Sequence, residues 1–467
     1  MSDRQVSVRH RARQGGVLAI VVVLAMVAAA CGGNRSDKAA STTTASGGAP
    51  GTTTAGGGTT TPTLIDASKC PAASATAGVS GNTITLGTSL PESGLYSAFT
   101  AILDGEQAYI SYTNANGGVT VAGKKYQLKL NDMDDAYVAS KTVTNVNSML
   151  TGGNTFALFN VVGTKNNLAI RSLVNQQCVP DLFAASGATQ WGNHDFPFLI
   201  GSELVPYPLE VKTFVDYLKQ TKPNATIAVL AANDDFGQSY VDTLNQLVKG
   251  TTLKVVKTEQ YDSAGAAVDN QVNNLAATKA DAFLLAGALL ACPAALTAAQ
   301  KAGWTPITYM SGTCVSKVLL GAAKSAANNV LSVTPLLDPG DPKNASNPAM
   351  VLYKAQVAKY RPKADTSDGI VAYGWTTGAL LVKTLESAKE LTRASVMEAA
   401  RTLTDVSGVG LQLPDSKWNT SANDWFIGET FQFIKYDATA GHSNPVGPIT
   451  NEDGKTADLA GELINLK

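Results

Sequence analysis

Residues 156–186 read FALFNVVGTKNNLAIRSLVNQQCVPDLFAAS. Two apolar runs, Phe156–Val162 and Val179–Ser186, flank a segment that reads as a helix over Asn167–Gln176. Strand, helix and strand within about thirty residues make the repeating unit of a parallel sheet. The first run ends on Gly163-Thr164, a glycine and a hydroxyl at the carboxyl end of a strand. In open parallel sheets ligands bind beyond those ends, where main-chain donors and helix N-termini collect. This turn is therefore a candidate for holding a ligand as well as for starting a helix.

The same alternation runs outward in both directions. Thr83–Pro91 and Tyr126–Asp134 read as strands, with helices over Ala98–Ala115 and Ala139–Leu150. The pattern restarts after Pro206, with strands at Thr226–Asp234, Leu253–Tyr261, Ala282–Ala288, Pro306–Gly312 and Asn328–Leu336. Helices over Leu209–Leu218, Gly237–Lys249, Ala266–Thr278 and Pro293–Ala302 separate them. The spacing predicts an α/β fold of two doubly wound parallel-sheet lobes, and the helices after Asn347 must pack back on them. The expected organisation is a lobe over 76–205 completed by 338–405, and another over 206–337 completed by 406–467.

The N-terminus reads as an export signal over residues 1–30. Arg9, Arg11 and Arg13 precede Val17–Ala30, an apolar run of 14 residues. At ~1.5 Å per residue such a helix falls short of a ~30 Å hydrocarbon core, which marks a signal peptide rather than a membrane span. Small residues Ala28–Ala30 lead into Cys31 and resemble a bacterial lipobox, with Ala28 where Leu or Val is usual; Cys31 would then be the lipidation site. Residues 31–75 are a Thr/Gly/Ser-rich tether with too little apolar surface to offset the entropy of ordering. Export implies an oxidising compartment, and the four remaining cysteines allow three pairings. Cys292 and Cys314 follow consecutive strand-like runs, which favours Cys292–Cys314 and leaves Cys70–Cys178.

With 44% apolar residues, 16% charged residues and a net charge of −1, no polyanion-binding surface is expected, and nucleic acid is not an expected partner. No GxSxG elbow, GxxxxGK[ST] loop or GxGxxG turn is present, and no cysteine–histidine cluster suggests zinc. The acidic run Asp132, Asp134, Asp135 reads as a solvated loop or a set of helix caps, and His194-Asp195 as a polar loop pair. No catalytic residue, cofactor or metal is expected.

The order ITLGTSLPESGLYS, TNANGG, GTKNNLAIRSLVNQQCVPDLFAASGAT and IAVLAANDDFGQS resembles type I periplasmic binding proteins. More narrowly it is similar to the branched-chain amino-acid-binding family of ABC importers, from about Asn82 to Leu385. The resemblance implies two lobes joined by a three-stranded hinge, closing on a small molecule and delivering it to permease subunits. It also implies a lipid-anchored monomer on the outer face of the cell membrane.

Carried over by position, the resemblance implies ligand contacts at Ser93, Gly94 and Phe99 after the first strand. Thr164, flanked by Val162 and Gly163, would anchor the ligand's carboxylate. Ser186, Gly187 and Thr189 would add main-chain and hydroxyl contacts, and Phe236 would cover the ligand from the second lobe. Two positions depart from the family. Thr313 stands where those proteins carry the glutamate that pairs with the ligand's ammonium, and Ala288 opens an apolar stretch where tyrosines are usual. Asp368 is the candidate replacement charge. A buried ammonium without a carboxylate is costly, so the pocket is expected to suit a carboxylate with an apolar body. The alternatives are a ligand sensor working with a membrane receptor, and a secreted two-lobed α/β enzyme.

Overall fold

The computed structural model describes residues 64–265 and 267–465; the expected signal peptide, Cys31 and the expected tether up to residue 63 lie outside the described residues. The first sheet is built from β1 (Val79–Ser80), β2 (Thr83–Leu90), β3 (Val119–Val121), β4 (Lys124–Asp134), β5 (Ala157–Phe159), β6 (Asp181–Ala184) and β7 (Leu199–Gly201). Helices α1 (Thr100–Ala115), α2 (Ala139–Leu150) and α3 (Thr164–Gln176) connect its strands. Its order is β3-β4-β2-β5-β6-β7, with β1 beside β2, and all neighbours from β4 to β7 run parallel.

The second sheet follows α4 (Tyr207–Thr221). Strands β8 (Thr226–Ala232), β9 (Lys254–Tyr261), β10 (Ala282–Ala286), β11 (Ile307–Met310) and β12 (Leu331–Thr334) run parallel in the order β9-β8-β10-β11-β12. Helices α5 (Asp235–Leu247), α6 (Asp269–Ala276), α7 (Ala291–Lys301) and α8 (Lys317–Ala323) connect them. Then come α9 (Pro348–Tyr360), α10 (Gly369–Ser387), α11 (Arg393–Ala400), the strands β13 (Thr430–Asp437) and β14 (His442–Asn451), and α12 (Thr456–Ala460). The last two strands extend the second sheet antiparallel, beyond β12.

The five parallel strands of each sheet share one order, in which the second in the chain lies outside the first. The order reverses beside β2 and β5, and again beside β8 and β10, so the loops leaving those strands diverge and open a crevice. Every residue of β5, β6 and β10 is buried, because helices cover both faces of a parallel sheet. That is why these segments read as unbroken apolar runs.

The chain passes between the lobes three times: after β7, after β12 and between α11 and β13. The crossings touch one another. Leu336 bridges Gln412, the Leu337 amide donates to Leu411 O at 2.8 Å, and Gly428 lies against the Glu203 and Leu204 carbonyls. Helix α10 returns to the first lobe and crosses α1 at backbone contact distance. A Cβ on Gly105 would lie 2.2 Å from Val371 O, and one on Gly374 2.0 Å from Ile102 O. Two glycines at one crossing thus seat the N-terminal end of α10 over the gap between the lobes.

Some elements differ from the sequence expectation. Helix α3 begins at Thr164, three residues early, because Gly163 (φ 105°) turns the chain without a side-chain cap. Strands β7, β13 and β14 were not expected. The first is three residues long, too short to show a period. The other two are antiparallel additions that the alternating α/β rule does not anticipate. Disulfides join Cys70 to Cys178 and Cys292 to Cys314, with Cα–Cα distances of 5.5 and 6.4 Å.

Candidate functional site: the cleft between the lobes

A cavity of about 90 Å³ lies between the lobes, lined by twelve residues, none with a charged side chain. The first lobe contributes Phe99, Ile102, Val162, Gly163 and Ala185; the second contributes Gly312, Thr313 and Val315. Leu204 of the first crossing, and Gly369, Ile370 and Tyr373 of α10, close the hinge side. The side-chain polar groups in the wall are the hydroxyls of Thr313 and Tyr373. Tyr373 is held by Asn160, whose Nδ2 donates to the phenol at 2.8 Å.

The N-terminus of α3 abuts this cavity through Gly163. A Cβ there would lie 2.6 Å from the Tyr137 ring, so position 163 is restricted to glycine by space as well as by its positive φ. No side chain caps α3, and among the described residues the amides of Thr164, Lys165 and Asn166 find no acceptor. Free amides at the positive end of a helix dipole favour an anionic group.

Beside them sits a buried cluster of hydroxyls. Thr164 Oγ1 and Ser186 Oγ are 2.7 Å apart, and the Tyr207 hydroxyl donates to Ser186 Oγ at 3.5 Å. Burial pushes the Tyr207 phenol up to about 12, against the hydrogen bonds that hold it down.

The outer edge of the cleft is closed by groups from both lobes. Lys165 of α3 donates to Ser263 Oγ at 3.1 Å, lies 3.8 Å from an Asp234 carboxylate oxygen, and stands 4.5 Å above the Tyr137 ring. Tyr96 stacks on Tyr137 with centroids 4.1 Å apart. Burial, with Tyr261 and Asp234 alongside, pushes the Tyr96 phenol up. Tyr261 in turn accepts from the Ala288 amide at 3.2 Å. This arrangement is a closed one, fastened by a lysine.

Of the residues singled out from the sequence, Phe99, Val162, Gly163 and Thr313 line the cavity. Thr164 and Ser186 lie behind its wall, each about 1% exposed. Gly187 and Thr189 are also buried and do not line it; Gly187 O accepts from the Tyr207 amide, and Thr189 Oγ1 donates to Leu463 O at 3.2 Å. Ser93 and Gly94 are exposed, and the Ser93 hydroxyl is spent on Asp134. Phe236 packs edge-on against Tyr207 and Tyr240, with centroids 5.2 and 5.4 Å away. Ala288 acts through its amide. Asp368 caps α10 by accepting from the Ile370 amide, with burial pushing its carboxyl up. The acidic run is structural: Asp134 holds the 92–93 amides, and Asp135 accepts from Ser89, Thr142, Asn166 and the Tyr137 amide.

Sequence reading missed Leu204, Tyr373, Lys165 and the tyrosines Tyr96 and Tyr137. It also missed a second cavity of about 270 Å³ against the hinge, which shares Leu204, Gly312, Thr313, Val315, Gly369 and Tyr373 with the first. Glu210 of α4 lies in its wall, accepting from the Gly312 amide at 2.9 Å and the Tyr309 hydroxyl at 3.1 Å. Burial pushes this carboxyl up to about 7. An acid among the buried neighbours Leu209 and Val211 was the available signal. The disulfide Cys292–Cys314 braces the loop that carries Thr313 between the two cavities.

Comparison with solved structures agrees with this architecture. A substrate-binding periplasmic protein from Ralstonia solanacearum matches with TM-score 0.69 and 20% identity, over 78% of this chain and 99% of the other. A branched-chain amino acid ABC transporter protein from Thermus thermophilus, with bound valine, matches with TM-score 0.70 and 16% identity, over 80% and 98%. A fatty acid ABC transporter substrate-binding protein from Thermomonospora curvata matches with TM-score 0.69 and 20% identity, over 82% and 95%. At these identities the likeness speaks to the fold. The Periplasmic binding protein family matches residues 83–441, most of the described chain, and on that match the protein belongs to the periplasmic binding protein family.

Proposed function

We propose that this protein captures a small organic carboxylate with an apolar body in the interlobe cleft and presents it, lobes closed, to an ABC importer. The observation that carries the reading is the pairing of a cavity wall free of charged side chains with the uncapped N-terminus of α3. A carboxylate is satisfied there by main-chain amides and the helix dipole, while the rest of the ligand meets Phe99, Ile102, Val162 and Val315. An α-ammonium would find Thr313, with Asp368 already committed to the α10 cap. The structural relatives named above include both a branched-chain amino acid and a fatty acid transporter protein.

In this reading the lobes are 76–205 with 338–405 and 206–337 with 406–467, and no covalent step is involved. Cys31 is the lipidated N-terminus, the tether holds a monomeric body outside the membrane, and permease subunits recognise the closed form. A thermal-shift panel tests the ligand class, because a ligand that binds only the folded state raises the melting temperature by mass action. Aliphatic and aromatic monocarboxylates are expected to stabilise the protein more than leucine or valine at equal concentration. Stronger stabilisation by the amino acids overturns the reading.

A further inference from the structure

The cleft cavity is well below the roughly 300–1,000 Å³ of ordinary small-molecule sites. At about 90 Å³ it has room for a head group and a few carbons. The hinge cavity beside it is three times larger and shares half of the cleft's lining. Its aliphatic wall is made by Val205, Leu336 and Leu413 of the three crossings, Val333 and Ile434 of the second sheet, and Leu320 of α8. The acids in its wall accept main-chain or hydroxyl hydrogen bonds, Asp338 through both oxygens and Asp341 and Glu210 through one each. Asp338 accepts from the Gly340 and Ser443 amides, Asp341 from the Lys343 amide, and Glu210 from Gly312 and Tyr309. Lys317 is exposed. Both Glu210 bonds fall on Oε2, and its Oε1 makes no hydrogen bond among the described residues.

We infer that the apolar body of the ligand is an extended chain that passes the Thr313–Val315 and Gly369–Tyr373 wall and ends in the hinge cavity. The ligand class is then an aliphatic monocarboxylate too long for the cleft alone. The chain lies against all three crossings, so filling the hinge cavity favours the lobe arrangement in which it is formed. This inference rests on the proposed carboxylate-binding function, and the experiment separates the two.

Calorimetry or thermal shift on the purified full-length protein would use linear monocarboxylates from butanoate to dodecanoate and the linear alcohols of the same lengths. The chain is expected to add about fourfold in affinity per methylene, the ratio that corresponds to ~0.8 kcal/mol per buried CH₂, and to do so well past the length the cleft can hold. Leu337→Trp, at a half-buried wall position of the hinge cavity, is expected to remove the gain for long chains by tenfold or more and to leave short acids unchanged. Ile434→Phe serves as a second blocking variant, and retained binding of short acids shows that each variant is folded. Affinity that stops rising at short lengths overturns the inference alone, as does a rise that both variants leave intact. If the alcohols bind with the same length dependence and the acids gain nothing over them, the carboxylate anchor falls and the hinge chain site stands. If neither series binds at any length, both readings fall.

Discussion

Replacing Lys165 with methionine tests whether the lobes are fastened at the cleft edge. Methionine keeps most of the stem and so keeps its packing, while the ammonium and its three interactions are lost. The hydrogen bond from the ammonium to Ser263, at 3.1 Å, falls in the class of bonds to charged groups worth about 1.5–3 kcal/mol. The 3.8 Å ion pair with Asp234 adds less than about 1 kcal/mol, since the lysine side chain is 24% exposed. The contact over the Tyr137 ring, worth about 0.5–1 kcal/mol, lies within the first lobe and does not distinguish closed from open. The two interlobe interactions share one ammonium and are not additive, so their combined loss is about 2–4 kcal/mol.

Because Ser263 and Asp234 belong to the opposite lobe, this loss falls on the closed state and lowers the closed-to-open ratio by roughly 30- to 700-fold. Small-angle scattering of the ligand-free protein is expected to show a larger radius of gyration for Lys165→Met than for the wild type. Affinity for any ligand that needs closure is expected to fall. A double-mutant cycle with Asp234→Asn measures the pairwise part. Scattering profiles and affinities identical to the wild type would refute the reasoning, because the lysine would then contribute nothing to closure.

Two further substitutions probe the site and the core. Thr164→Val removes the 2.7 Å partner of Ser186 in a buried cluster, so it is expected to cost about 1–2 kcal/mol in urea denaturation. It should also weaken carboxylate binding in calorimetry, and unchanged affinity would remove Thr164 from the anchor. Asp181 is fully buried, its carboxylate oxygens have no partner, and burial pushes it up to about 7 from an ordinary 3.8. A raised carboxyl keeps its proton in the folded state, so its contribution falls as pH rises from about 4 to about 7 and is level above that. At about 1.4 kcal/mol per pH unit the loss is at most ~4 kcal/mol. Asp181→Asn is therefore expected to match the wild type near pH 4 and exceed it in stability at pH 8. Parallel pH–stability curves for the two proteins would contradict this.

The lobes, the alternation of strand and helix, and the turn at Gly163-Thr164 were legible because each depends on local rules. Buried parallel strands are apolar runs of four to eight residues, and a strand that must turn at once into a helix carries glycine. The motif positions near the cleft followed from the same rule, since loops leave parallel strands at their carboxyl ends. Which of those residues face the ligand space was not legible. Thr164 and Phe236 lie at the expected strand ends, yet packing turns one hydroxyl toward Ser186 and one ring toward Tyr207.

Contacts across long separations were invisible to any local period. Lys165 meets Ser263, 98 residues on, and Asn160 meets Tyr373, 213 residues on. The hinge cavity is likewise made by three crossings that are far apart in the chain and neighbours only once both sheets have formed. The sequence by itself determined the two-lobed architecture and where its strands end, because periodicity and turn chemistry are written residue by residue. Only the tertiary structure decided the shape, neutrality and closure of the space between the lobes, because those depend on which distant side chains packing brings face to face.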